Sequence, residues 1–223
     1  MKLYTYPASP ICRPIAMLIA DHGMEVEQQV VDLMAGEQNT PAFTAINPNN
    51  AVPVLEDGAF RLTECSAILK YLADVVGSPT YPKSLQARAR VNSAMDWVNT
   101  GLYRAFGYNL CYPQVLPHMK WFRRDSAVAG TRRRASWFAK MARRHERSYA
   151  GRERMAVRGR VDHCRLFRIR HSLAWRVDWL QLFSWPNVRR WYERMQDLPN
   201  WNSANAALYV WANHIKSQDY ARI

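Results

Sequence analysis

The sequence predicts two units, an α/β domain over residues 1–78 and an all-helical domain over residues 84–223. Two observations carry that division. Up to residue 76, short strand-like apolar runs alternate with segments whose apolar residues recur every three to four positions, a mixture of the two periods. Beyond the linker Gly77-Ser-Pro-Thr-Tyr-Pro82 only the helical period remains. A third observation sets the scale: 223 residues with 48% hydrophobic side chains can bury a sizeable core and do not describe a disordered chain.

The elements follow in order. Lys2 to Tyr6 is a short strand, closed by Pro7, which has no amide to extend a ladder. Cys12 to His22 carries a helical stripe of Ile15, Leu18 and Ile19, and Gly23 suits its C-terminus. Val26 to Val31 is a second strand. Thr40 and Pro41 open a short helix with Phe43 and Ile46 on one side. Val52-Pro-Val-Leu55 and Phe60-Arg-Leu62 flank Asp57-Gly58, a hairpin signal. Cys65 to Val76 is a third helix with Ile68, Leu69 and Leu72 aligned. After the linker, Ser84 to Asn99 repeats Val91, Met95 and Val98. Leu102 to Tyr112 is rich in tyrosine. Pro186 to Met195 begins a helix with proline near its first turn, and an aromatic stretch follows Leu198-Pro-Asn-Trp201.

Net charge is +13, and its placement matters more than its size. Between Arg123 and Arg176 lie sixteen Arg and one Lys against Asp125, Glu146, Glu153 and Asp162; the remaining residues hold 14 basic and 14 acidic groups. The surplus therefore belongs to one segment. A basic stretch with interleaved aromatics suits phosphates and stacked bases, so a nucleic-acid-binding or anionic-surface arm at 123–176 is one reading. The other is that the segment is foreign to the pattern around it. No apolar run approaches the roughly 20 residues of a bilayer span, so no membrane partner is expected. No charged-then-apolar leader is visible. Four cysteines without framework spacing suit a reducing compartment, which points to the cytoplasm. His163 and Cys164 are adjacent, which is not the spacing of a metal site, so no metal is expected.

Four segments carry the chemistry: Tyr6-Pro-Ala-Ser-Pro-Ile-Cys-Arg13, Val31-Asp-Leu-Met-Ala-Gly-Glu37, Ile46-Asn-Pro-Asn-Asn-Ala-Val-Pro-Val54 and Leu62-Thr-Glu-Cys-Ser-Ala-Ile68. In this order they resemble the cytosolic glutathione S-transferases, most of all the theta- and delta-like branch that uses a serine. The resemblance covers the first 120 or so residues and resumes from Phe183 to Trp211. It implies a thioredoxin-like first domain, an all-helical second domain, glutathione as co-substrate, conjugation of its thiol to a small apolar electrophile, and a homodimer. A non-catalytic or redox relative that binds glutathione is the alternative within the same resemblance.

Residue by residue, the resemblance makes Ser9 the group that activates the thiol. The physical chemistry agrees: a hydroxyl between strand and helix can donate to a thiolate, and the helix N-terminus adds positive potential. Ser9 as a plain helix cap is the competing reading. Pro53 is implied to be cis, turning the Val52 backbone toward the cysteinyl part of glutathione like an added strand. Glu64 is implied to take the γ-glutamyl ammonium, and residue 65 with its helix N-terminus the carboxylate. The family usually has serine at 65; Cys65 is a weaker donor and lowers the expected affinity by about 1 kcal/mol. Gln38 and Asn50 stand where histidine often serves the glycine carboxylate. Cys12 is either a redox thiol spaced three from Ser9 or a small buried helix residue. Tyr103, Phe106, Tyr108 and Tyr112 either line a pocket for the electrophile or pack as core.

The resemblance breaks at the Arg-rich segment. The family's second domain contains a buried helix that opens Leu-Thr-Ile-Ala-Asp-Tyr, with Thr and Asp as a capping box. That motif is absent from the sequence. One codon choice for Arg160-Val-Asp-His-Cys-Arg-Leu-Phe-Arg-Ile-Arg170, regrouped one base later, reads Gly-Leu-Thr-Ile-Ala-Asp-Tyr-Phe-Ala-Ser. The hypothesis is that residues 130 to 181 or so are an out-of-frame translation, closed by a compensating shift before Phe183.

Overall fold

The computed structural model describes residues 1–104, 107–108, 112–116, 119 and 186–215. The Arg-rich segment at 123–176, His163, Cys164 and Phe106 lie outside the described residues, and so does the stretch read as out of frame.

Four strands form one mixed sheet in the order β2-β1-β3-β4: β1 is Lys2–Thr5, β2 Glu27–Val30, β3 Val54–Asp57 and β4 Phe60–Thr63. β1 runs parallel to β2, and it pairs antiparallel with β3, as β3 does with β4. The parallel pair requires a crossover, which is the helix α1, Arg13–Asp21. The β3–β4 hairpin turns through Gly58, whose φ of +59° is a left-handed conformation that glycine adopts without penalty. This is the thioredoxin-like arrangement.

The pleat sorts the core. Leu3 and Leu55 are register partners, as are Tyr4 and Val54, and alternate residues face opposite sides. Leu3 and Leu55 join Ile15, Leu18, Ile68 and Leu72 in one cluster. Tyr4 and Val54 join Val31, Phe43 and Val52 in the other. Ile68, Leu69 and Leu72 lie on α3, Cys65–Val75, and are all but solvent-free. The short helix α2, Pro41–Ile46, begins as its sequence suggests, with the Phe43 amide donating to Thr40 Oγ1 at 3.3 Å.

The larger core cluster does not stop at the sheet. It continues through Val91 and Met95 of α4, Leu85–Asp96, to Val98. The chain then widens into a π-helical stretch, Trp97–Leu102, inside what the periodicity presents as one helix. Three further helices are described: α5, Tyr112–Val115; α6, Pro186–Gln196; and α7, Trp201–Ile215. α7 packs against α1, with Trp201, Asn205 and Leu208 buried. Among the described residues no helix is long and apolar enough to cross a membrane.

Candidate active site

A cavity of about 390 Å³ opens where the first turn of α1, the loop before β3 and the helical residues come together. Its polar lining holds Ser9, Gln38, Asn50 and Val52; its other wall holds Tyr103, Tyr108, Tyr112 and Trp211. Residues more than 190 positions apart thus share one space.

Ser9 sits ahead of α1 and not at its cap. Its carbonyl oxygen accepts from the Cys12 and Arg13 amides at 3.2 Å each. The residue that caps the helix is Cys12, with no side-chain hydrogen bond to the first turn. The Ser9 hydroxyl receives the Ile11 amide, at 3.4 Å, a long contact by the usual standard of about 2.9–3.0 Å. The hydroxyl also hydrogen-bonds the Cys12 thiol, and Ser9 lines the cavity.

The loop bearing Val52 is held from below. Asn47 is buried, donates from its amide nitrogen to the Ala51 carbonyl at 2.7 Å, and accepts the Asn49 amide at 3.0 Å. Val52–Pro53 is a cis peptide bond, the geometry the resemblance implied. Asn50 accepts from Thr44 Oγ1 at 2.9 Å through its carbonyl oxygen, which leaves its NH₂ group to donate. The Gln38 carbonyl oxygen is buried without a hydrogen-bond partner. An orphaned polar atom in a cavity wall is costly, and a ligand that donates to it removes that cost.

Glu64 immediately precedes α3 at φ +68°, ψ +117°, a sparsely populated conformation for a residue with a Cβ. Its side chain is exposed and makes no cap bond to the helix. Cys65, the first helical residue, is 4% exposed. Pro53, Glu64 and Cys65 do not line the cavity, whereas Val52 does.

Cys12 is 1% exposed, and burial pushes its thiol up against hydrogen bonds with the Tyr6 backbone, Thr5 and Ser9 that pull it down. It packs with Val31, Phe43 and Val52 and borders a second cavity of about 230 Å³ instead of the first. Tyr103 and Tyr112 share a hydroxyl hydrogen bond of 2.5 Å, and each meets Tyr108 edge to face with ring centres 5.3 Å apart. The three rings form one wall.

Sequence reasoning missed Arg13 as a cavity residue. It is 1% exposed; its Nε donates to the Ser9 carbonyl at 3.4 Å and its Nη1 to Asn205 Oδ1 at 2.6 Å. Burial lowers its pKa to about 10, so it remains charged at neutral pH. The partner that reveals it lies 192 residues away. Among the described residues no group of three or more His, Cys, Asp or Glu is placed to hold a metal.

Residues 1–74 match the family model described as the glutathione S-transferase N-terminal domain. Among curated proteins, human glutathione S-transferase theta-1 is 39% identical over 122 residues, covering 52% of this chain and 51% of the relative. Glutathione S-transferase D7 of Anopheles gambiae is 29% identical over 198 residues, covering 87% and 85%. The match to the theta relatives thus spans about half their length. Among solved structures, human glutathione transferase theta-2, in complex with glutathione and an unknown ligand, superposes with a TM-score of 0.82 at 23% identity over 99% of this chain and 92% of that one. A delta-class glutathione transferase of Nilaparvata lugens gives 0.76 at 24%, over 96% and 97%. At such identity these two likenesses speak for the fold.

Proposed function

Residues 1–74 being a glutathione S-transferase N-terminal domain with theta- and delta-class relatives, we propose that the chain is a glutathione transferase that joins the glutathione sulfur to a small apolar electrophile. The observation that carries this is the shared cavity. It sets a serine hydroxyl beside polar groups fit for a peptide, and faces them with an apolar wall of Tyr103, Tyr108 and Tyr112.

The chemistry then divides among the residues. The Ser9 hydroxyl donates to the thiol sulfur, which favours its anion. The thiol proton leaves to solvent. The thiolate attacks the electrophilic carbon, a C–S bond forms, and the displaced group departs with its electron pair. Val52 pairs with the cysteinyl backbone of glutathione. Gln38 and Asn50 donate to the glycine carboxylate. Glu64 takes the γ-glutamyl ammonium, and Cys65 with the start of α3 its carboxylate. Glutathione is consumed as co-substrate. A homodimer acting in the cytoplasm completes the proposal, with the first domain divided from the helical one between residues 78 and 84.

Steady-state conjugation of an aryl halide tests it. Wild type is expected to turn over, and Ser9→Ala to lose at least tenfold in kcat/KM, the scale of one lost donor at a developing charge. Equal inactivity of both, with glutathione still bound in calorimetry, would replace the enzyme with a glutathione-binding relative.

A further inference from the structure

We propose that Arg13 is an electrostatic positioning residue of the thiol site, a buried guanidinium braced between Ser9 and Asn205, with no carboxylate facing it among the described residues, whose charge favours an anion at the Ser9 hydroxyl. The identity of that anion as the glutathione thiolate rests on the function proposed above; the charge effect itself does not.

The side chain has five N–H donors in a fixed fork. Nε reaches the Ser9 carbonyl and Nη1 reaches Asn205 Oδ1. Asn205 is itself fully buried and oriented by its Nδ2, which donates to the Trp201 carbonyl at 2.6 Å. That bond leaves only its carbonyl oxygen to face Arg13. Nη2 is buried with no hydrogen-bond partner.

None of its described neighbours offsets the charge. Cys12 on its own helix, Tyr103 and Tyr112 from the helical part, and Tyr209 on α7 are the titratable groups facing it, and none of them is a carboxylate. The second cavity also touches Arg13, where its polar lining of Thr5, Gln28 and Ser203 is neutral as well. On the Ser9 side, the titratable groups lining the shared cavity besides Arg13 are Tyr6, Tyr103, Tyr108 and Tyr112, again with no carboxylate. A buried cation left without an anion is costly. A thiolate formed against Ser9 in the cavity that Arg13 also lines sets an anion beside that charge. Ser9 then gives direction through a hydrogen bond and Arg13 gives charge, and an opposite charge within about 4–6 Å moves a pKa by roughly one to three units.

A protein thiol at the site measures this without any need for glutathione to bind. In a Ser9→Cys background, the alkylation rate of the position-9 thiol is followed against pH, with the label assigned to residue 9 by fragmentation mass spectrometry. This thiol is expected to titrate well below the ordinary cysteine value of about 8.5. Adding Asn205→Asp places a carboxylate on the guanidinium in the same shape and should raise that midpoint by about one unit or more. Arg13→Gln should raise it likewise, and Arg13→Lys should restore most of the depression. An unchanged midpoint with Asn205→Asp overturns the proposal, because a bracing role alone does not depend on net charge. So does a folded Arg13→Gln protein that titrates like the parent. Should Arg13→Gln not fold, Asn205→Asp decides. Failure of wild type to conjugate or bind glutathione would remove the transferase reading and leave this measurement intact.

Discussion

At the scale of a residue, the proposed role of Cys65 turns on one atom. This residue occupies the first position of α3, nearly solvent-free, next to the strained Glu64. A hydroxyl there would give a short, strong bond to a carboxylate; a thiol gives a longer and weaker one. Cys65→Ser is therefore expected to tighten glutathione by about 1 kcal/mol, roughly fivefold in Kd, read by isothermal titration. An unchanged or weaker Kd would take residue 65 out of the binding set. Ser9 and Val52, which the structure brings to one cavity, could be singled out in the sequence because each sits in a motif a few residues long. Arg13 was not legible as a working group. Its motif is local, but its meaning comes from Asn205, which no spacing rule connects to it. Cys12 shows the converse, since the burial that sets its thiol's character depends on Val31, Phe43 and Val52 closing over it.

At the scale of elements, the apolar stripes of α1 and α3 were readable because both helices bury one face on the sheet and expose the other. β2 was less readable. All four of its residues are exposed, so backbone pairing to β1 holds it in the sheet and side-chain burial does not. The π-helical stretch after α4 left no sequence signal either, since its apolar spacing fits an ordinary helix. What joins α3 to α4 is partly electrostatic. Asp74 accepts from Arg88 Nη2 at 2.6 Å and from Lys83 Nζ at 3.2 Å. Burial works against its ionisation, but these two cations outweigh it and hold the carboxyl below its ordinary value. With a depressed folded pKa, the contribution is present above about pH 4 and disappears as pH falls through the lower folded value. Both partners are partly solvated, so the effect is small, on the order of a few degrees in Tm. Asp74→Asn should melt below wild type at pH 7 and match it at about pH 2. A gap that persists in acid would assign the loss to packing instead.

For the whole molecule, charge and fold separate along the chain. The residues outside 123–176 are electrically balanced, and the described part of them builds a thioredoxin-like sheet with helices packed against it. The segment within holds seventeen cations and four anions. A helix of the second domain's interior needs an apolar face, and each unpaired arginine buried there would cost several kcal/mol in a protein stable by about 5–15 kcal/mol. The regrouped reading of residues 160–170 has that face and a capping box at its start. We therefore propose that residues 130 to 181 or so are an out-of-frame translation. The protein made from its own gene should differ in intact mass from the value this sequence gives, and its isoelectric point should fall well below the present basic value. Tryptic peptides from the region should contain Leu-Thr-Ile-Ala-Asp-Tyr. Peptides reading Leu-Phe-Arg from 166–168, or a gene sequence that stays in frame through Phe183, would overturn this. The basic arm would then be real, and its binding to a polyanion should weaken steeply with salt.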